Sequence, residues 1–154
     1  LEFRRVLFRS AFPLYADSLP VGFLNFLKAL EACPPAHKPV VSILINCGFL
    51  EAEQSEVAIR MMRLFCRRNG YVMGSVLMLG SGEAILDTPF KYVATRNICR
   101  LAQSMVSGRY HTLSATMPLS KYLFRLAADI YWTFYGKRFG TTRRQMQTME
   151  VEGK

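Results

Sequence analysis

Hydrophobic and polar positions along the chain alternate between a strand pattern and a helix pattern. Residues 39–46 (PVVSILIN) form a nearly continuous aliphatic run, which predicts a strand covered on both faces, as in a parallel sheet. Residues 71–79 form a second run of this kind, and residues 11–15 have the composition of the end of a third strand. These runs predict a parallel sheet.

A helix is predicted after the first strand. Asp17 or Ser18 can cap this helix, and Pro20 suits its first turn. Apolar residues then recur with helical spacing in one stripe: Phe23, Leu24, Leu27 and Leu30. A helix with a single apolar stripe packs on a sheet, so we expect this segment to cover the strands.

A second helix is predicted over residues 51–68. Acidic residues gather at its start and arginines at its end, which complements the helix dipole, and Asn69 and Gly70 are suited to end it. Its apolar face comprises five residues: Val57, Ala58, Met61, Met62 and Phe65.

The rest of the chain predicts two more helices. Residues 80–82 (GSG) are expected to form a flexible loop, residues 90–106 a helix, and residues 108–118 a linker. Residues 119–135 predict a C-terminal amphipathic helix, and the polar tail after Gly140 is expected to fray. The apolar stripe of this last helix comprises Leu119, Leu123, Leu126, Ile130 and Phe134. Alternating strands and helices of this kind predict an α/β doubly wound parallel sheet.

Composition and charge exclude several classes of protein. Of the 154 residues, 51% are hydrophobic and 20% charged, which indicates a globular domain rather than a disordered chain. The formal charge of +9 gathers at the two ends of the chain, which favours a solvated basic face over a nucleic-acid groove. The four cysteines lack CxxC spacing, so we expect reduced thiols in the cytoplasm and no metal site.

Residues 1–10 (LEFRRVLFRS) resemble the in-frame translation of a sequencing adaptor along their whole length. We therefore exclude them from inferences on fold and function and expect the native sequence to begin near Ala11. The alternative is a native basic start. Val6, Leu7 and Phe8 are strand formers by accident and are expected to extend the first strand.

The segment from Phe12 to Pro20 (FPLYADSLP) resembles the P-x-Y-x-x-S-x-P element of the NADPH-dependent FMN reductase family, whose fold is flavodoxin-like. Further features follow in that family's order: a strand that opens at Lys38, a small loop over residues 46–49, and a glycine loop at residues 80–84. The resemblance implies that residues 11–108 are an incomplete flavodoxin-like domain, without its first two strand–helix units. Residues 109–154 then form a helical extension and polar tail.

This family implies an FMN-dependent oxidoreductase. Hydride passes from NAD(P)H through the flavin to an acceptor such as a quinone, a free flavin or a nitro compound, in a protein expected to be a homodimer when complete. Ligands of open α/β sheets lie beyond the carboxyl ends of the strands, where three loops of this chain are expected to meet, at residues 13–17, 46–49 and 80–83. The implied flavin contacts are Pro13, Leu14, Tyr15, Asp17, Asn46, Cys47, Gly48 and Phe49.

The chain departs from the family in two ways. The family's phosphate-binding loop would precede Ala11, so we expect this chain alone to be inactive and to bind FMN weakly or not at all. The family also often has asparagine at the position of Ala16. This departure implies that one hydrogen bond to the flavin edge is either missing or made by Asp17.

Other interpretations stay open at the candidate site. Tyr15 and Phe49 could pack in the core, Gly80 and Gly82 could simply turn the chain, and the complete protein could be an electron carrier without NAD(P)H turnover. Cys47 could be a nucleophile or a small buried thiol. Of the two histidines that could serve it, His37 is expected at the opposite end of the sheet and His111 in a linker, and the other three cysteines are interpreted as packing residues: Cys33, Cys66 and Cys99.

The last helix has more apolar surface than one groove needs, through Tyr122, Phe124, Tyr131, Trp132 and Tyr135. We expect it to dock on the body of the protein or on a second subunit, rather than on a membrane. The membrane alternative would place four basic side chains at lipid headgroups: Lys121, Arg125, Lys137 and Arg138.

Overall fold

The chain forms an α/β fold around a four-stranded parallel sheet. The computed structural model describes residues 7–82 and 84–148. Its strands are β1 (Leu7–Pro13), β2 (Val40–Asn46), β3 (Val72–Leu79) and β4 (Thr112–Ala115). They lie side by side in sequence order, and every pairing is parallel, which confirms the predicted α/β class and parallel sheet.

The helices of the described residues are α1 (Val21–Ala32), α2 (Glu56–Arg68), α3 (Lys91–Ser107), α4 (Lys121–Arg138) and α5 (Arg143–Met146). A 3₁₀ turn over Ala52–Ser55 precedes α2. Among these residues, no helix is both long enough and apolar enough to cross a membrane. The chain divides into two compact units, one that ends at Met117 and one that begins at Pro118.

The main core lies between one face of the sheet and the helices α1 and α2. Val41, Ile43 and Ile45 alternate along β2 toward this face and are almost completely buried. Leu27 of α1 and Met62 of α2 are buried in the same cluster. Each such side chain stabilises the fold by about 1.5–3 kcal/mol when it is removed from water.

Helix α3 packs on the opposite face of the sheet. Val76 of β3 belongs to the main core, so its neighbour Ser75 points to the other face, where its hydroxyl lies 2.6 Å from the hydroxyl of Ser104 in α3. The amide of Ser75 donates to the hydroxyl of Ser42 in β2 at 3.1 Å. Hydrogen bonds thus satisfy the buried hydroxyls beneath α3.

Strand β1 begins inside the segment that resembles an adaptor. Leu7 pairs with Val40 and Phe8 with Val41, so the expectation that these residues extend the first strand is confirmed. Val6 lies outside the described residues.

Strand β4 corrects the prediction of a linker over residues 108–118. Its four residues (TLSA) carry too weak a pattern to predict a strand, and they become one by pairing with Val76 through Leu79 of β3. Edge pairing of this kind depends on tertiary contacts rather than on local sequence.

The predicted cap of the first helix and the predicted frayed tail both need correction. Neither Asp17 nor Ser18 caps α1, which begins after Pro20, because both residues lie in a turn described below. The tail after Gly140 was expected to fray, but Thr142 and Gln145 form a capping box that starts α5. Residues 149–154 lie outside the described residues.

Several predicted burials also differ. Val57 was placed on the apolar face of the second helix and is exposed, whereas Ile59 is fully buried. The buried residues of α2 are Ala58, Ile59, Met62 and Cys66, which recur with helical spacing, so Val57 falls to the side of the face that meets the sheet. Among the cysteines interpreted as packing residues, Cys66 is buried, but Cys33 and Cys99 are exposed.

Candidate functional site

The carboxyl ends of β1, β2 and β3 meet at one edge of the sheet, which we call the carboxyl edge. Pro13 lies opposite Asn46 in the parallel register, and Asn46 lies opposite Leu79. The amide of Leu14 donates to the carbonyl of Asn46 at 2.7 Å, and the amide of Cys47 donates to the carbonyl of Leu79 at 2.9 Å. The loops that follow these strands therefore start side by side, as the sequence predicted.

The loop after β1 is a tight hairpin. Tyr15 and Ser18 exchange two backbone hydrogen bonds, of 3.1 and 2.9 Å. Between them, Ala16 and Asp17 both adopt left-handed backbone angles, with φ of 46° and 56°. Two consecutive positive φ values are typical of a type I′ turn, which favours asparagine or glycine. An asparagine at position 16 would thus favour this turn through its tolerance of a positive φ, and no hydrogen bond to flavin is needed to explain it.

The loops after β2 and β3 are bonded to each other. The amide of Ser81 donates to the carbonyl of Phe49, and the amide of Gly82 donates to the carbonyl of Cys47, each at 2.6 Å. Residues 80–82 are all buried. The prediction of a flexible glycine loop is therefore wrong, because these bonds and the close packing hold it in place. Glu83, which the sequence placed at the same edge, lies outside the described residues.

A third loop, which follows β4, is hydrogen-bonded to these two. We call the three bonded loops (residues 47–50, 80–82 and 116) the platform. The hydroxyl of Thr116 donates to the carbonyl of Leu50 at 2.5 Å and lies 2.7 Å from the hydroxyl of Ser81. Gly80 packs beneath these groups, and only glycine fits there, because a Cβ would stand 2.7 Å from the carbonyl oxygen of Leu50. The sequence places Ser81 in a loop at this edge but does not predict Thr116 there, since residues 108–118 carry no signal of a strand that would bring Thr116 to it.

The carboxyl edge carries two aromatic side chains that are open to solvent. Tyr15 is 69% exposed and Phe49 is 56% exposed, so the interpretation of these residues as core packing is wrong. Gly48 is also exposed and lacks a left-handed φ, and among the described residues no atom lies within 4 Å of the place where its Cβ would stand. Neither backbone nor packing requires glycine at this position, which leaves the main chain open to close approach by a ligand.

The remaining predicted contacts differ in exposure. Pro13 and Asp17 are exposed, whereas Leu14 packs against the main core. The Oδ1 atom of Asn46 is buried and has no hydrogen-bond partner among the described residues. A buried acceptor in this state costs about 1–3 kcal/mol.

Cys47 lacks the surroundings of a catalytic thiol. It is 3% exposed, and its Sγ donates to the carbonyls of Phe49 at 3.7 Å and Glu51 at 3.6 Å. Burial raises the pKa of the Cys47 thiol above its usual value. His37 precedes β2 and His111 precedes β4, so both lie at the amino ends of the strands, roughly 10 Å or more from Cys47 along the sheet. Neither histidine is placed to activate it.

Backbone strain gathers at the carboxyl edge. In the described part of the chain, the non-glycine residues with positive φ are Ala16, Asp17 and Ser81, and all three lie there. Strained residues persist where the surrounding structure holds them, and they cluster at functional sites. No family model, curated protein or solved structure matches this chain. The geometry of this edge is therefore the basis for inferring function.

Proposed function

We propose that the carboxyl edge holds the isoalloxazine ring of FMN in a flavodoxin-like, NAD(P)H-dependent oxidoreductase. The clustering of strained residues with two exposed aromatic side chains and the open Gly48 carries this proposal. A planar ring with apolar faces needs aromatic contacts, and its polar rim needs backbone donors and acceptors. Tyr15 and Phe49 offer the aromatic contacts, and the main chain at Gly48 offers the backbone donors and acceptors.

The roles of the chain in this reaction are binding and orientation. When bound, FMN would accept hydride from NAD(P)H and pass two electrons to an acceptor such as a quinone, a free flavin or a nitro compound. The hydrogen-bonded platform beneath Gly48 and Phe49 would fix the ring position, and the hairpin would present Tyr15 to it. No side chain is needed as an acid or base, so the buried Cys47 thiol would act by packing.

We further propose that two strand–helix units precede residue 11 and pair with β1. Within the part of the chain that the structure describes, strand β1 pairs on its β2 side only. On the α3 side of the sheet, a cavity of about 180 Å³ lies over β1 and β2, lined by residues that include Ala11, Ser42, Leu44, Leu101 and Met105. Parallel sheets are covered on both faces. Additional strands beyond β1 would reverse the strand order there and place the ligand-binding switch point beside Tyr15.

A comparison of flavins tests the ring site in this chain. If the phosphate-binding loop lies upstream, this chain should bind FMN and riboflavin with the same weak affinity, within about a factor of two. The affinity is measured from the quenching of flavin fluorescence as the protein is added. FMN binding by this chain at micromolar affinity, much tighter than that of riboflavin, would contradict the proposal.

The longer protein tests the reaction itself. With the two upstream units present, it should bind FMN tightly and oxidise NADPH or NADH. Tight FMN binding without turnover of either nucleotide would favour an electron carrier, and loss of all activity in a Cys47→Ser variant would favour a thiol enzyme. A longer protein that binds no flavin would exclude both flavin functions.

A further inference from the structure

The loop after β2 has its carbonyl groups held on one side. Three of them accept hydrogen bonds from the rest of the platform: those of Cys47, Phe49 and Leu50. Their donors are the amides of Gly82 and Ser81 and the hydroxyl of Thr116, respectively. These donors follow β3 and β4, and both strands lie on the same side of β2 in the sheet. The three carbonyls therefore point to the β3 side of the loop.

Two amides of this loop point the other way. In a trans peptide, the carbonyl of one residue and the N–H of the next point in opposite directions, and the described residues contain no cis peptide. The amides of Gly48 and Leu50 follow held carbonyls and so point toward the β1 side, where the hairpin carries Tyr15. In the described part of the chain, neither amide donates to a protein acceptor. They form a pair of donors that faces the hairpin.

Thr116 belongs to a chain of hydrogen bonds that runs in one direction. Its single hydroxyl hydrogen goes to the carbonyl of Leu50, at 2.5 Å, because a carbonyl can only accept. Ser81 must then be the donor in the 2.7 Å contact between the two hydroxyls. The oxygen of Ser81 in turn accepts from the amide of Met117 at 3.2 Å. The chain therefore runs from Met117 through Ser81 and Thr116 to Leu50.

This chain acts on both peptide groups that flank Leu50. Thr116 holds the carbonyl of Leu50 directly. Through Ser81 it supports the residue whose amide holds the carbonyl of Phe49, and that carbonyl shares a peptide group with the amide of Leu50. The amide of Gly48 depends on a different bond, from Gly82 to Cys47. Loss of the Thr116 hydroxyl should thus release the Leu50 amide and spare that of Gly48.

We infer that Thr116 is a positioning residue of the proposed ring site. Its hydroxyl is occupied within the protein, and its role is to aim the Leu50 amide at the ligand, beside the amide of Gly48. A ring edge that meets this pair must offer hydrogen-bond acceptors, and the pyrimidine side of isoalloxazine has two carbonyl oxygens to offer. The inference rests on the proposed function, because it assigns an orienting role at the same site.

Amide hydrogen exchange tests the donor pair in the original chain. The Gly48 and Leu50 amides should exchange freely without ligand. Riboflavin at about ten times its Kd should slow both about tenfold, because exchange then requires release of the ligand. Binding of riboflavin without protection of either amide would overturn the inference and leave the ring site standing. Absence of riboflavin binding would refute the ring site itself, and the inference with it.

Thr116→Val keeps the shape of the side chain and removes the hydroxyl. We expect the affinity for riboflavin to fall about five- to tenfold, which corresponds to roughly one hydrogen bond. Protection by riboflavin should disappear at Leu50 and persist at Gly48. Thr116→Ser keeps the hydroxyl and should bind riboflavin within about twofold of the original chain. If the valine variant does not fold, Thr116→Ala removes the same hydroxyl with a smaller side chain and takes its place.

Thr112→Val is a matched control in the same strand. The hydroxyl of Thr112 accepts from Arg63 at 3.3 Å, at the amino end of β4 and away from the platform. This variant should bind riboflavin within about twofold of the original chain. Equal affinities in the Thr112→Val and Thr116→Val variants, or loss of protection at Gly48 as large as that at Leu50, would overturn the positioning role of Thr116.

Discussion

The amide of Ser81 donates a 2.6 Å hydrogen bond to the carbonyl of Phe49, although the two residues follow different strands. Ser81 is buried with a left-handed φ of 67°, whereas the side chain of Phe49 is largely exposed. A buried, strained residue thus holds the backbone of an exposed aromatic residue in place. A surface prepared in this way loses little conformational entropy when it binds a ligand.

The hairpin after β1 should be stabilised by a residue that tolerates a left-handed backbone. Ala16 has a φ of 46°, so Ala16→Gly should raise the free energy of unfolding by about 1 kcal/mol in urea denaturation. The control is Ala29→Gly in the exposed side of α1, which should lower it by about 0.5–1 kcal/mol. Destabilisation by both substitutions would show that the turn is not the one described.

The platform should not tolerate a methyl group at Gly80. The added Cβ would stand 2.7 Å from the carbonyl oxygen of Leu50 and 2.8 Å from the hydroxyl of Thr116. We expect Gly80→Ala to lower the free energy of unfolding by about 1–3 kcal/mol, since overpacking displaces main chain here. An unchanged denaturation midpoint would mean that the loops are looser than these distances imply.

Gly48 should behave in the opposite way. Gly48→Ala has open space for its Cβ and should change the free energy of unfolding by less than about 0.5 kcal/mol. It should nevertheless weaken flavin binding, because overpacking by a methyl group costs about 1–3 kcal/mol, or about fivefold or more in affinity. Gly22→Ala is the matched control, since Gly22 is equally open but lies in α1. Identical flavin affinities in the two variants would count against ring binding over Gly48.

The sequence predicts the central strands of this fold well and its edges poorly. Strands β2 and β3 are long apolar runs, so burial and pattern agree. Strand β4 has only four residues and becomes a strand through its pairing with β3, a contact that no local pattern contains. The capping box at Thr142 was similarly lost in a stretch whose composition is that of a tail.

At the candidate site, topology was predictable and loop conformation was not. Because parallel strands end at the same edge, the sequence correctly placed Pro13, Asn46 and Gly80 together. It could not predict that residues 80–82 are buried, since glycine and serine suit a free loop as well as a close contact. The contact depends on Thr116, which arrives from a distant part of the chain.

The buried thiol of Cys66 should make stability depend on alkaline pH. Burial raises its pKa from 9.0 to about 11. Below pH 9 the thiol is protonated in both folded and unfolded chains, and its contribution to stability is complete. As pH rises from 9 toward 11, the unfolded chain ionises first and stability falls. Over this pH range, the free energy of unfolding measured in urea should fall less steeply for Cys66→Ala than for the exposed-site control Cys33→Ala. Equal slopes would refute this assignment.

The most direct test of the account is a map of amide NMR shifts as riboflavin is added to the chain. We expect the largest changes at Tyr15, Gly48 and Phe49, on the carboxyl edge, and none at Lys38 or His111, at the amino ends of the strands. Changes confined to the amino ends or to α4, with the carboxyl edge unaffected, would contradict a flavin site on this fold.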